Sequence, residues 1–192
     1  MSAQHQASAE PNVVVRTDFL AYEARLWDGF AALVHPDALT EFRSQQLTIA
    51  EMWEAHSAEL NEAQQRSKTD SGLGNPVLRM FAGVKTLAEL RALSQQAFLA
   101  RYLEARSPKA NPRDPDYQPP TATREIIGEV PETQDLVHVV YRVRTDVGRY
   151  GRTESIEVIP VKRAASGWQL MLNPELSYSG SMTMMVNDVT KE

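Results

Sequence analysis

"DLVHVVYRVRT", residues 135–145, alternates with a period of two: Val137, Val139, Tyr141 and Val143 on one parity, Leu136, His138, Val140, Arg142 and Arg144 on the other. Side chains of a strand point to opposite faces in turn, so this is a strand with one dry face and one half-wetted face. The dry face belongs against helices. The outer face carries Leu136, His138, Val140 and Arg142, joined by Ile156 and Val158 of the next apolar run. A single bulge would exchange the two faces.

Outward from this stretch the same period persists. "TREIIGEV", "RTESIEVIPVK" and "WQLMLN" read as three further strands, and "PETQD", "GRYG" and "AASG" as the turns between them. Short turns between consecutive strands predict an antiparallel meander. Pro160 cannot donate to a ladder, so an edge position or a bulge is expected there.

Upstream of Thr121 the period is helical. Thr17 reads as an N-cap with Asp18 in the first turn, followed by Phe19, Leu26, Trp27, Phe30, Leu33 and Val34 on one face up to His35. From Pro36, the positions Leu39, Phe42, Gln46, Ile49, Trp53, His56 and Leu60 step by three and four, predicting a long helix to about Arg66 with two polar residues on its buried seam. "SKTDSGLGNP" breaks it. Thr86 and Glu89 form a capping box for a helical region carrying Leu87, Leu90, Leu93, Phe98 and Tyr102, with Ser94 placed to cap a second segment.

The expected organisation is a loose tail over 1–14 and a single α+β domain over 15–192. Within it lie a helical half (17–106), a Pro-rich connection (107–122), an antiparallel sheet (123–176) and a Met-rich tail (177–192). Helices precede a four-stranded antiparallel sheet on which they pack.

The His-Val-Val-Tyr-Arg-Val strand, the strand ending in Val161-Lys162-Arg163, a short Gly-containing turn and Trp168-Gln169-Leu170 resemble the sheet half of the nuclear transport factor 2-like superfamily, over residues 123–173. That resemblance implies a cone of helices and curved sheet, and an outer sheet face that packs on a second subunit. The superfamily holds isomerases, dehydratases and non-catalytic binders, so the fold alone assigns no reaction. The long second helix and the proline-rich connection depart from its pattern. The residue sets of ketosteroid isomerase and scytalone dehydratase have no match here.

Composition narrows the classes. With 192 residues the chain can bury roughly 70% of its unfolded surface. A net charge of −5 supplies no field for nucleic acid. The absence of cysteine excludes disulfides, thiolate metal sites and Cys nucleophiles. No signal peptide and no run of about 18 apolar residues is present, so neither export nor a membrane span is expected, and the cytoplasm is the expected compartment. His35, His56 and His138 lack metal-ligand spacing, and "GLGNP" lacks the Lys-Ser/Thr ending of a phosphate loop, so neither metal nor cofactor is expected.

Three functional readings remain. The first is a non-catalytic domain that holds a small apolar ligand within the cone through Trp53, His56, Phe98, Tyr102 and Tyr141, or that forms a homodimer. The second is a cofactor-independent isomerase or dehydratase with His56 as base and Tyr141 as donor to an oxyanion. The third is a protein interaction module working through Leu136, His138, Val140, Arg142, Ile156 and Val158.

Overall fold

The computed structural model describes residues 10–67, 75–107, 121–146 and 151–172, with side chains in all of these except 57–67. The fold is α+β, helices followed by an antiparallel sheet. The chain divides into two compact units. One holds the described residues up to His35 with those from Ser107 to Leu172, and the other runs from Pro36 to Arg106. The division does not follow the change from helix to strand, because the first two helices belong with the sheet.

In the first unit, helices α1 (Pro11–Glu23) and α2 (Trp27–Ala32) accompany strands β1 (Thr121–Pro131), β2 (Leu136–Asp146), β3 (Arg152–Ala164) and β4 (Gly167–Leu170). The strands pair in the order β1-β2-β3-β4, all antiparallel, as a meander. The β2–β3 register runs unbroken from Leu136 opposite Lys162 to Asp146 opposite Arg152. Between β1 and β2 the register shifts at Ile126/Gly128, an irregularity of the bulge kind.

Val137, Val139, Tyr141 and Val143 are the buried side chains of β2, Val139 completely so. Helix α1 packs over this face, touching β1, β2 and β4. Phe19 meets Tyr141 with ring centroids 5.0 Å apart. The other margin of β4 is occupied by the chain leaving α2, where Val34 bridges Leu170 and the His35 N–H donates to the Leu170 carbonyl at 2.8 Å.

Helix α1 begins at Pro11, not at Thr17. Pro11 occupies the first turn, where its missing N–H would be unpaired anyway, and Val14 and Val15 are buried. Burial of this β-branched run overrides its weak helix propensity. Thr17 lies within the helix, its hydroxyl donating to the Val13 carbonyl at 2.8 Å. The single helix expected up to His35 is two, because Arg25 adopts a left-handed conformation (φ 56°) and leaves Leu26 exposed.

The second unit contains α3 (Pro36–Ser67), a 3-10 turn (Pro76–Met80), α4 (Leu87–Ala92) and α5 (Gln95–Arg106). Its core is aromatic: Phe42, Phe81, Phe98 and Tyr102 meet pairwise at centroid distances of 4.6–6.0 Å. Thr86 accepts from the Glu89 N–H at 3.2 Å while Glu89 reaches back to the Lys85 N–H at 2.8 Å, so one turn holds two otherwise unpaired donors. Ser94 accepts from the Ala97 N–H at 3.2 Å, separating α5 from α4. Asn75 caps the 3-10 turn through the Val77 N–H and ties it to α3 by donating to the Ala50 carbonyl at 2.7 Å. Gln46 is fully buried on α3, whereas His56, expected on the same seam, is exposed. The glycine-rich stretch at 72–74, the prolines of 108–120, Val147, the tail before Glu10 and the Met-rich tail from 177 lie outside the described residues.

Phe98 touches two of the other three rings and is completely buried. Truncating it leaves a cavity that the remaining rings fill only in part. Phe98→Ala is expected to lower unfolding free energy by about 3–5 kcal/mol in urea titration. A loss below about 1 kcal/mol would show that this cluster does not hold the second unit together.

Candidate functional site

The six outer-face residues share one surface. Register sets Val140 opposite Val158 and Arg142 opposite Ile156, both on the face turned away from the buried valines. Leu136, His138, Val140 and Arg142 are half-buried, while Ile156 and Val158 are 54% and 41% exposed. Sequence reading did not include Val130, which the β1–β2 register places opposite His138 at 56% exposure. The residue count across the irregularity in β1 decides its face, and no local pattern in "TREIIGEV" announces that shift.

Charge borders this apolar strip. Arg142 lies 3.3 Å from Glu125 and 3.1 Å from Glu154, and Arg144 donates from Nε to Glu154 at 2.8 Å. The hydrogen bond from Arg144 holds the Glu154 carboxyl below its ordinary range. At the other end His138 Nε2 meets Glu132 at 2.5 Å. Opposite charges thus stand within a single surface, each beside a partner. At the Arg152 end of the sheet, a groove of about 430 Å³ is lined by Thr121, Thr123, Thr145, Thr153 and the pairs Arg144–Glu154 and Arg152–Asp146. Its cations are already neutralised, which leaves no net attraction for an anion.

The inner face carries a second cluster. Asp18 on α1 is only 5% exposed, and its Oδ1 has no hydrogen-bond partner among the described residues. Burial pushes its carboxyl up to about 7, against the opposing pull of Arg124. The Arg124 guanidinium lies over the rings of Phe19 and Tyr22, 5.7 and 5.1 Å from their centroids, and 3.4 Å from Glu23. The Tyr141 hydroxyl donates to Glu157 Oε2 at 2.7 Å, and Ser155 donates to the other oxygen of that carboxylate at 3.0 Å. Burial and then the bond to Glu157 raise the Tyr141 hydroxyl above its usual range, so it stays protonated and acts as a donor. Asp18 and Glu157 were not singled out by sequence reading. Asp18 looked like a first-turn acid, and only the true start of α1 at Pro11 turns it inward.

Tyr141 belongs to the inner face just described. Phe98 and Tyr102 are buried in the aromatic core of the other unit, where burial raises the Tyr102 hydroxyl against the influence of Arg106. Trp53 is half-buried on α3, with the His56 ring 6.1 Å away. Among the described residues no three His, Asp or Glu side chains converge as metal ligands, and no helix is long and apolar enough to cross a membrane. No protein-family model matches this chain, and no curated protein or solved structure matches it either.

A carboxyl that binds its proton more tightly in the folded state adds stability at low pH. For Asp18 that contribution is complete below about pH 3.8 and is lost as pH rises through about 7. Asn mimics the protonated form at every pH. Asp18→Asn is therefore expected to match the parent in urea stability at pH 4 and to exceed it by about 2–4 kcal/mol at pH 8. A difference that does not vary with pH would show that Asp18 is not a buried acid.

Proposed function

We propose that this protein is an interaction module whose outer sheet face pairs with a second copy of the chain. The observation that carries the reading is the strip formed by Val130, Val140, Ile156 and Val158. Val130, Ile156 and Val158 are exposed there beside the half-buried Val140, bordered by Arg142, Arg144, Glu125, Glu154, His138 and Glu132. A border holding both signs of charge suits a surface meeting its own copy, because a two-fold axis can bring the cations of one face to the anions of the other. The apolar centre would supply the affinity and the charged rim the register.

The reading is in keeping with the resemblance to the nuclear transport factor 2-like superfamily, whose outer sheet faces meet in this way. What supports that assignment here is the order of elements and α1 lying across the inner face of an antiparallel meander. Within the same reading the cytoplasm is the expected setting.

Binding or proton transfer at the inner face is the second reading, favoured by the buried Oδ1 of Asp18, which has no hydrogen-bond partner among the described residues. In that reading the acid–base group is Asp18. His56, exposed with Trp53 as its ring neighbour, lacks the enclosed setting that a base of this kind requires.

Sedimentation equilibrium decides between association and its absence. Val130 is exposed and distant in sequence from β3, so Val130→Lys leaves the fold intact while placing a charge in the apolar strip. The expected result is a dimer in the parent and a dissociation constant raised about tenfold or more in the variant, equivalent to about 1.4 kcal/mol. A dissociation constant unchanged by Val130→Lys would remove the outer face as the contact.

A further inference from the structure

β4 pairs with β3 only over Val161–Ala164, so the β3 segment before Pro160 has β2 on one side and, among the described residues, no strand on the other. The direction of its backbone groups follows from two hydrogen bonds. The Arg163 N–H donates to the Asp135 carbonyl, toward β2, at 2.8 Å, and the Pro160 carbonyl accepts from the Met171 N–H, toward β4, at 2.8 Å. Backbone groups of a strand alternate sides, and the β2–β3 register is unbroken down to Arg152. Arg152, Glu154, Ile156 and Val158 therefore direct both N–H and C=O away from β2, toward the side that has no strand among the described residues. All four residues are exposed. Pro160 fits the same phase, since its missing N–H would face the open side, just past the last residue of β4.

The other sheet margins are managed differently. β1 carries the register shift at Ile126/Gly128, ends in Pro131, and has Glu129 engaged by the Asn12 N–H at 3.1 Å. β4 is bridged by Val34. Irregularities, prolines and covering segments are the devices by which sheets block unwanted pairing. Among the described residues, none of these devices protects 152–158 of β3.

We propose that Arg152–Val158 is a strand-addition edge, and that its occupant is the same edge of a second copy, antiparallel about a two-fold axis at Ile156. That axis lets Ile156 exchange both hydrogen bonds with its counterpart and Glu154 exchange both with Val158 of the second copy. It sets Ile156 against Ile156 and Ser155 against Glu157, with no like charges directly opposed. An axis at Glu154 or Glu157 would oppose two carboxylates, which disfavours pairing. The contact uses backbone at the sheet margin, so it is separate from the pairing of outer faces and does not depend on it.

Residue-resolved amide hydrogen exchange on the full chain, at low and high protein concentration, tests this. The amides of Glu154, Ile156 and Val158 are expected to exchange freely when dilute and to slow by roughly tenfold or more when concentrated. Those of Ser155, Glu157 and Ile159 stay protected throughout by β2. Glu154→Pro removes an outward N–H without touching the β2 ladder and is expected to abolish the concentration dependence at Ile156 and Val158. Glu154→Ala, which keeps the N–H and loses only the carboxylate, is expected to retain it, as is Val130→Lys. Edge amides that exchange freely at every concentration would overturn the proposal. So would edge amides already protected in a dilute monomer, which would mean that the chain's own residues fill the edge. Loss of the effect in Glu154→Ala would assign it to charge, and loss in Val130→Lys would assign it to the outer face. Either result would also overturn the proposal.

Discussion

The register between β2 and β3 is the constraint on which the first unit depends. It extends the full length of β2 and gathers Val137, Val139, Tyr141 and Val143 on the side covered by α1. Side chains repeat every two residues, so a slip by one would bury His138, Arg142 and Arg144 and expose the valines. Burying those charges without new partners is prohibitive, whereas burying the valines and the tyrosine is favourable by roughly 1.5–3 kcal/mol apiece. The alternation of "VHVVYRV" thus has one acceptable register. The inner cluster and the outer strip are its two consequences.

Much of this was legible because the decisive signals are local and periodic. The meander shows in alternating runs separated by turn residues. The capping box at Thr86 and Glu89 and the Ser94 cap are read from neighbours three residues apart. The long α3 follows from its uninterrupted three-and-four stepping, and the seam position of Gln46 from the same stepping. What was not legible depends on tertiary burial or on a single backbone angle. The run Val13–Val15 has poor helix propensity and folds as helix because Val14 and Val15 are buried. Nothing near Arg25 is a glycine or proline, yet its positive φ ends α1 and re-aims Trp27 and Phe30. The extrapolated seam failed at His56, twenty residues into α3, where the periodic pattern continues but the side chain is exposed.

Asp18 illustrates how one boundary error hides a chemically interesting residue. With the helix begun at Thr17 an acid in the next position faces the N-terminal dipole and solvent. With the helix begun at Pro11 the same residue lies more than a turn inside and is buried, near Arg124. Arg124 is held by rings and by Glu23 and sits close enough to oppose, but not to cancel, the effect of burial on the carboxyl. The Tyr141–Glu157 bond lies on the same side of the sheet and fixes the phenol as a donor. Helix α1 is therefore attached to the strands by the Phe19–Tyr141 contact and the Arg124–Glu23 pair, with the Asp18 carboxyl buried near Arg124.

The irregular β1 and the bridged β4 have a consequence for growth. A sheet with two regular free margins is a template for polymerisation, since each added molecule offers a fresh site and fibrils follow. The sheet here has its first margin made irregular by the shift at Ile126/Gly128 and its last margin bridged at Leu170 by Val34. In the proposed pairing at β3, the joined sheet is bounded on either side by β1 with its register shift. The shift in β1 thus works against further strand addition along that margin of the sheet.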